Sequence, residues 1–174
     1  MIISLLGYMG SGKTHVSKLL SNAINFELID LDDAIEEKTG KSIPELFEER
    51  GEIYFRKIEN QTLTEILQHR DDLILSLGGG TPVYYNNMEL INQHSVSVYL
   101  RTSVTSLSER LLRAKHKRPI IERIPKEDLP EFIAKHLFER NAYYSQAHHI
   151  FDTDQKSLET VSNEIKKTLL PEFS

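Results

Sequence analysis

The sequence predicts an α/β fold in which a parallel sheet of five strands is covered by helices on both faces. Two observations lead to this prediction. Short apolar runs alternate with longer stretches whose apolar residues have helical spacing. The runs are also apolar throughout, which is typical of strands whose two faces are both buried. The length of 174 residues suits one domain, and no internal repeat is present.

Each predicted strand is a short apolar run with glycine or polar residues at its ends. The five runs are residues 2–6, 26–31, 73–77, 96–100 and 150–151. Helical spacing follows them over residues 13–23, around Ile35, and over residues 52–69, 104–113 and 158–169. Strands and helices therefore alternate along most of the chain, as in a sheet built from parallel strands.

Residue chemistry marks several helix boundaries. Gly40 suits the left-handed position that follows a helix. Ser42 and Glu45 have the spacing of a capping box, in which the serine caps the helix and the glutamate reaches back to the serine N–H. Gly51 interrupts the helical pattern that follows. We therefore expect one helix to begin at this box and a longer one to follow Gly51.

Residues 115–128 break the alternation of strands and helices. This segment is rich in Lys, Arg, Glu and Pro and has little hydrophobic periodicity. An ordinary solvated connection fits that composition. The length of the segment and its Arg118-Pro119 pair favour a mobile lid over about residues 113–128 instead.

Composition argues against several classes of protein. The chain contains no cysteine, which excludes disulfides, thiolate metal sites and cysteine nucleophiles. The formal net charge of −5 argues against nucleic acid as a partner, because such binding depends on Lys and Arg neutralising phosphates. The apolar start, Met1 to Leu6, is too short for a membrane span and lacks a basic flank, so we expect a strand and not a signal peptide. We expect a cytoplasmic monomer without a membrane partner.

The residues from Gly7 to Thr14 read GYMGSGKT and match the phosphate-binding pattern G-x-x-x-x-G-K-[ST]. A strand precedes them and a helix follows, which is the context that this pattern requires. Lys13 is expected to reach the β- and γ-phosphates of ATP, and the Thr14 hydroxyl to bind Mg²⁺. The nucleotide contacts expected in this loop are Gly10, Ser11, Gly12, Lys13 and Thr14.

A phosphate loop alone is compatible with GTPases, transport ATPases, helicases and small-molecule kinases. The sequence has no Asn-Lys-x-Asp stretch that would recognise guanine. The third predicted strand ends in Gly78, Gly79 and Gly80, where many mechanical ATPases have an acidic pair. These two absences favour a small kinase.

Three aspartates, Asp30, Asp32 and Asp33, stand at the carboxyl end of the second predicted strand, where ligands gather in open α/β sheets. One carboxylate could hold Mg²⁺ through water while another accepts the proton of an attacking hydroxyl. The alternative is helix capping, because aspartate is common at a helix start. Both interpretations remain open on the sequence alone.

Three arginines are candidates for binding an anionic acceptor. Arg56 lies in an apolar and acidic helix, Arg118 in the predicted lid, and Arg140 in the helix that follows it. If they meet near Gly78 to Gly80, their bidentate forks and the exposed N–H groups of the glycines would suit a carboxylate. One fork would remain for the transferring phosphoryl group. The acceptor would then be an acidic metabolite.

The sequence resembles the shikimate kinase family over nearly its whole length. The Gly7–Thr14 loop and the stretch Asp30-x-Asp32 followed by Ile35-Glu36 are similar to that family's motifs. The further matching phrases, in the family's order, are TGKSI at 39–43, Gly51-Glu52, Phe55-Arg56-x-x-Glu59, Gly78–Gly80 and Arg118-Pro119. The resemblance implies a three-layer P-loop kinase fold, with substrate-binding helices over about residues 31–69.

The resemblance also implies roles on the acceptor side. Asp32 would contact the hydroxyls of shikimate and serve as the base or only orient the reacting hydroxyl. Arg56 and Arg140 would hold the carboxylate together with Gly79 and Gly80.

On the nucleotide side, the resemblance implies that Asp30 lies near Mg²⁺ and that Arg118 closes with the lid onto the β- and γ-phosphates. Arg110 would flank adenine, although Arg113, one turn away, could take that role. Asp152 and Thr153 would lie by the nucleotide base. Asp32, Lys13 and Arg118 are thus the expected catalytic residues.

The expected reaction is phosphoryl transfer from ATP to the 3-hydroxyl of shikimate, a step of aromatic amino-acid synthesis through chorismate. A different small P-loop kinase, acting on gluconate or a nucleotide, is one alternative. An ATP-binding module without kinase activity is another.

Overall fold

A computed structural model describes residues 1–69, 71–114 and 119–171 of the chain. The strands are β1 (Ile2–Leu6), β2 (Glu27–Asp30), β3 (Leu73–Ser76), β4 (Val96–Arg101) and β5 (His149–Asp152). The helices are α1 (Lys13–Ile24), α2 (Leu31–Thr39), α3 (Ile43–His69), α4 (Asn87–His94), α5 (Val104–Arg113), α6 (Pro119–Glu122), α7 (Leu129–Tyr144) and α8 (Leu158–Leu169). Among the helices of these ranges, none is long and apolar enough to cross a membrane.

The five strands form one sheet in the order β2-β3-β1-β4-β5, and every neighbouring pair is parallel. The predicted fold class is therefore confirmed. Side chains of the central strand β1 alternate between the two faces: Ile2 and Leu6 pack in one apolar cluster, and Ile3 and Leu5 pack in the other. Both faces of the sheet are covered by helices, which explains why the central strands are apolar throughout.

The predicted capping box is confirmed. The Ser42 N–H donates to Glu45 Oε2 at 2.7 Å, and the Glu45 N–H donates to Ser42 Oγ at 3.3 Å. As expected, Gly51 separates two helical stretches, which meet within α3 at a kink where its φ of 82° and ψ of 174° are non-helical. The longer stretch after Gly51 brings Arg56 and Glu59 to the residues that follow β3.

Several short elements were not expected from the sequence. A 3-10 turn at Thr81–Val83 and helix α4 follow the three glycines. Helix α4 is only eight residues long, which leaves too little hydrophobic periodicity to detect. In the segment predicted as a mobile lid, α6 is one helical turn and Ile121 is fully buried.

Candidate active site

The phosphate-binding loop, residues 7–14, joins β1 to α1. Gly12 caps the start of α1, with a φ of 95° that residues with a side chain rarely adopt. A Cβ at this position would also come within 2.7 Å of Leu158 Cδ2. Because only glycine fits, the loop can bring its N–H groups and the N-terminus of α1 to one point. The Lys13 ammonium donates to the carbonyls of Gly7 and Tyr8, at 2.6 and 3.1 Å, and so spans the loop.

A cavity of about 420 Å³ opens at the carboxyl edge of the sheet, beside this loop. It is lined by Met9, Gly10, Gly12, Lys13, Thr14, His15, Asp30, Asp32, Ser76, Leu77, Gly78, Gly79, Arg110 and Ala114. Most of the residues expected to bind nucleotide are in this set. Ser11 is buried and is not among them. The cavity thus joins the phosphate loop to the aspartates after β2 and the glycines after β3.

Asp30 and Asp32 both face the cavity, but they differ in their partners. Asp30 Oδ1 accepts from the N–H groups of Asp32 and Asp33, at 2.9 and 3.4 Å, and so caps α2. Burial raises the pKa of Asp32 to about 6, and the neighbouring carboxylates of Asp30 and Glu59 act in the same direction, against the opposing effect of Lys13. The capping alternative therefore applies to Asp30, while Asp32 has the raised pKa that suits a general base.

The three glycines form a turn that meets side chains from α2, α3 and α7. A Cβ at Gly78 would lie 3.4 Å from Asp32 Oδ1, and one at Gly79 would lie 3.0 Å from Arg140 Nη1. A Cβ at Gly80 would lie only 2.7 Å from Arg56 Nη2. The turn is thus a point where an aspartate and two arginines from distant parts of the chain converge.

Arg56 is held by neighbours from its own helix and from the segment that follows the three glycines. Its Nη1 donates to Glu59 Oε1 at 2.9 Å, and Glu59, which is buried, also accepts from the Thr81 hydroxyl at 2.8 Å. The guanidinium stacks on Tyr84, 4.0 Å from the ring centroid, and its Nε lies 3.5 Å from Glu52 Oε1. These contacts fix the direction of the arginine fork at the glycine turn.

Arg140 is held differently. Among the residues that the structure describes, no carboxylate lies within ion-pair distance of this arginine. Its neighbours are aromatic: Arg140 Cζ lies 5.4 Å from the centroid of the Tyr8 ring, and Nη2 lies 3.5 Å from His136 Nε2. Beside it, Tyr144 donates its hydroxyl to the Gly79 carbonyl at 2.5 Å. An uncompensated guanidinium beside a glycine turn is suited to an anionic group on a ligand.

The remaining expected nucleotide contacts are spread more widely. Arg110 lines the cavity and donates from Nη1 to the Gly10 carbonyl at 3.1 Å, whereas Arg113 is exposed and is not among the lining residues. Asp152 pairs with Arg101 at 2.6 Å, and Thr153 is buried with its hydroxyl 2.6 Å from that of Thr102. Neither Asp152 nor Thr153 is among the residues that line the cavity. Arg118 lies outside the described residues.

The donor set at the cavity suits a magnesium ion. The hydroxyl of Thr14 and the carboxylate of Asp30 both line it, and Mg²⁺ prefers such oxygen ligands with several waters retained. Only one oxygen of Asp30 is used in capping α2. The second oxygen can therefore contact the ion or one of its waters.

Comparison with known proteins identifies the family. A family model described as shikimate kinase matches residues 9–170. The shikimate kinase of Flavobacterium johnsoniae is 44% identical over 164 residues, covering 94% of this chain and 95% of that protein. The crystal structure of shikimate kinase from Bacteroides thetaiotaomicron matches with a TM-score of 0.90 at 37% identity, covering 97% of this chain and 98% of that one. Shikimate kinase from Acinetobacter baumannii in complex with shikimate matches with a TM-score of 0.86 at 34% identity, covering 98% of this chain and 93% of that one. The chain therefore belongs to the shikimate kinase family.

Proposed function

We propose that this protein transfers the γ-phosphoryl group of ATP to the 3-hydroxyl of shikimate, giving ADP and shikimate 3-phosphate. One observation supports this proposal above the others: Asp32, Arg56 and Arg140 meet at the glycine turn, which also lines the cavity of the phosphate loop. A carboxylated alcohol bound there would present its carboxylate to the arginines and a hydroxyl to Asp32. The phosphate loop would lie on the other side of that hydroxyl.

The proposed mechanism depends mainly on positioning and electrostatics. Arg56 and Arg140 bind the carboxylate of shikimate, with the N–H groups of Gly79 and Gly80. Asp32 accepts the proton of the 3-hydroxyl, or orients that hydroxyl. The hydroxyl oxygen of shikimate attacks the γ-phosphorus, and ADP leaves. Lys13 moves from the loop carbonyls to the β- and γ-phosphates. Thr14 and Asp30 would hold Mg²⁺, which supplies neutralisation of phosphate charge.

Several assignments rest on the family resemblance and the position of the residues. Arg110 is the residue proposed to flank adenine, and Asp152 and Thr153 are proposed to lie toward the nucleotide base. Arg118 is proposed to reach the β- and γ-phosphates from a lid of about residues 113–128. The segment of about residues 31–69 supplies the acceptor-binding helices. A cytoplasmic monomer is part of the same proposal.

A substrate panel tests the function directly. ADP release should depend on shikimate and should exceed the rates with gluconate or nucleoside monophosphates by at least about 100-fold, since an acceptor whose polar groups do not fit leaves buried polar groups of the site unpaired. A faster reaction with gluconate or a nucleotide would replace the proposed substrate. Calorimetry distinguishes the kinase from the alternative of an ATP-binding module without kinase activity. Such a module would bind ATP but not shikimate.

Replacing Arg56 with Lys tests the carboxylate site. Lysine keeps the positive charge beside buried Glu59 but loses the bidentate fork. The dissociation constant of shikimate should rise about 10- to 100-fold, as expected for loss of a charge-assisted hydrogen bond. Calorimetry of shikimate and of ATP checks this, and the ATP constant should not change. Arg50→Lys, an exposed position on the same helix, is the control. A variant that weakened only ATP binding would contradict the placement of Arg56.

The pKa of Asp32 predicts how activity depends on pH. Only an ionised carboxylate can accept the proton of the shikimate hydroxyl. Because the pKa of Asp32 is raised to about 6, activity should be lost as pH falls through about 6. An aspartate with its ordinary pKa would remain active to about pH 4. Measurement of kcat/KM for shikimate between pH 5 and pH 8 checks this. A flat profile down to pH 5 would show that ionisation of Asp32 is not required.

A further inference from the structure

We infer that His136 is a positioning residue for the acceptor site: its neutral imidazole joins Tyr8 of the phosphate loop to Arg140 and sets the direction of that arginine's guanidinium. The inference rests on the proposed function, in which Arg140 binds the carboxylate of shikimate. It adds a specific requirement, that the ring of His136 is uncharged when shikimate binds.

The geometry places His136 between the two groups. His136 lies one turn before Arg140 on α7, and its Nε2 is 3.5 Å from Arg140 Nη2. Its Nδ1 is 3.0 Å from the hydroxyl oxygen of Tyr8, a buried residue of the phosphate loop. The rings of Tyr8 and Phe132 contact the imidazole edge to face, with centroids 5.7 and 5.1 Å away. The imidazole is therefore held on both sides and contacts Arg140 with one defined nitrogen.

The environment of Arg140 explains why a neutral partner matters. Arg56, which points at the same glycine turn, pairs with the carboxylate of Glu59, whereas no carboxylate of the described residues pairs with Arg140. Because Arg56 already pairs with Glu59, Arg140 supplies the positive charge that a ligand carboxylate requires, and a carboxylate partner would orient its guanidinium but neutralise that charge. An imidazole acceptor orients the guanidinium and leaves its charge intact.

The chemistry of arginine assigns the tautomer. A guanidinium has only donors, so Nε2 of His136 must carry no proton if it accepts from Arg140. Nδ1 then carries the proton and donates to the Tyr8 oxygen. Protonation of the ring would remove the acceptor for Arg140 and place a second cation beside it. The sequence pattern did not reveal this arrangement, because a histidine on a helix has no spacing signal relative to a loop 128 residues away.

The groups that face His136 favour its neutral form. Burial lowers the pKa of His136, and the charge of Arg140 lowers it further, while Glu139 on the same helix opposes them. From the phosphate loop the facing group is the Tyr8 hydroxyl, whose pKa burial raises to about 12, so it is uncharged throughout the physiological range. Acidification therefore charges His136, and the contact with Arg140 is lost as pH falls.

Calorimetric titration of shikimate into four variants tests the inference at pH 7.5. His136→Leu removes both ring hydrogen bonds and should raise the shikimate dissociation constant about 3- to 10-fold, while kcat at saturating shikimate stays near the wild-type value. Tyr8→Phe should act in the same direction. The double variant should be no weaker than His136→Leu, because both changes break one chain of contacts. His136→Gln keeps an uncharged acceptor for Arg140 and should bind within about threefold of wild type.

The pH dependence separates a positioning role from simple helix packing. As pH is lowered from 7.5, the wild-type protein should lose affinity for shikimate faster than His136→Gln, because the histidine titrates and every other titratable group is common to the two proteins. The kcat/KM profile of His136→Gln should still fall through about pH 6, since Asp32 is unchanged. A ratio of the two dissociation constants that stays constant down to the lowest pH at which both proteins remain folded would overturn the inference. So would His136→Leu binding as tightly as wild type.

Two controls keep the outcomes distinct. If the wild-type protein bound no shikimate, the proposed function itself would fail, whatever the variants did. ADP affinity and the melting temperature of each His136 variant report on folding. If His136→Leu does not fold, the comparison of His136→Gln with wild type over this pH range decides the question alone.

Discussion

Replacing Asp32 with Asn should lower kcat by about 10²- to 10⁴-fold, the range expected when a general base is removed. The physical reason is the position of this carboxylate, which lies at the glycine turn and has a pKa of about 6 because of burial and the nearby acids Asp30 and Glu59. An amide of the same shape cannot accept the hydroxyl proton. Steady-state kinetics with shikimate and ATP measure the effect.

The size of the loss distinguishes the two roles that remain open for Asp32. Asparagine keeps an oxygen that accepts a hydrogen bond, so a residue that only orients the hydroxyl would lose much less than about 100-fold. The ATP dissociation constant should remain within about threefold of wild type, because the proposed function places Asp32 on the acceptor. Asp33→Asn, an exposed neighbour on α2, is the matched control and should retain full activity. Unchanged turnover in Asp32→Asn would remove Asp32 from the catalytic residues.

The phosphate loop could be predicted from the sequence because all its determinants are local. The strand, the glycines and the helix follow one another within residues 2–24, and the left-handed conformation of Gly12 comes from that short stretch. A parallel sheet with helices on both faces also followed, since alternating strands and helices with buried faces have few arrangements, whereas the order of the five strands was not predicted. Helix α4 was missed because it is short and its apolar pattern is brief.

The acceptor site could not be assembled from spacing alone. Arg56 and Arg140 belong to α3 and α7, and only the tertiary fold brings both to Gly79 and Gly80. No periodicity in the sequence encodes such a meeting, so the family resemblance supplied it. Glu59 had a local signal, because it lies three residues after Arg56 on the same helix and can pair with it.

The tyrosine beside the glycine turn was harder to recognise from the sequence. Tyr144 is a buried tyrosine, as helix packing alone would require, but its hydroxyl also donates to the Gly79 carbonyl. Aromatic side chains serve both purposes, since the ring fills the core while the hydroxyl needs a partner. Which partner it finds depends on the fold and not on the spacing.

Replacing Lys13 with Met should lower kcat by about 10²- to 10³-fold, the loss expected when one preorganised donor to transition-state charge is removed. The variant should also weaken ATP binding, because the ammonium spans the phosphate loop from the Gly7 and Tyr8 carbonyls and lines the cavity. Methionine matches the length of the chain without its charge. Stopped-flow turnover and calorimetry of ATP give the two effects separately.

The control for Lys13→Met is Lys18→Met, an exposed lysine on the same helix, which should leave both quantities unchanged. Asp32→Asn and Lys13→Met are then expected to differ in kind. The aspartate variant loses turnover and keeps ATP affinity, whereas the lysine variant loses both and keeps shikimate affinity. Both side chains line one cavity. Only a division of that cavity into an acceptor half and a nucleotide half would give the two variants different effects on ATP affinity. If both variants lost ATP affinity equally, Asp32 would belong to the nucleotide half. Another group would then have to accept the proton of the acceptor hydroxyl.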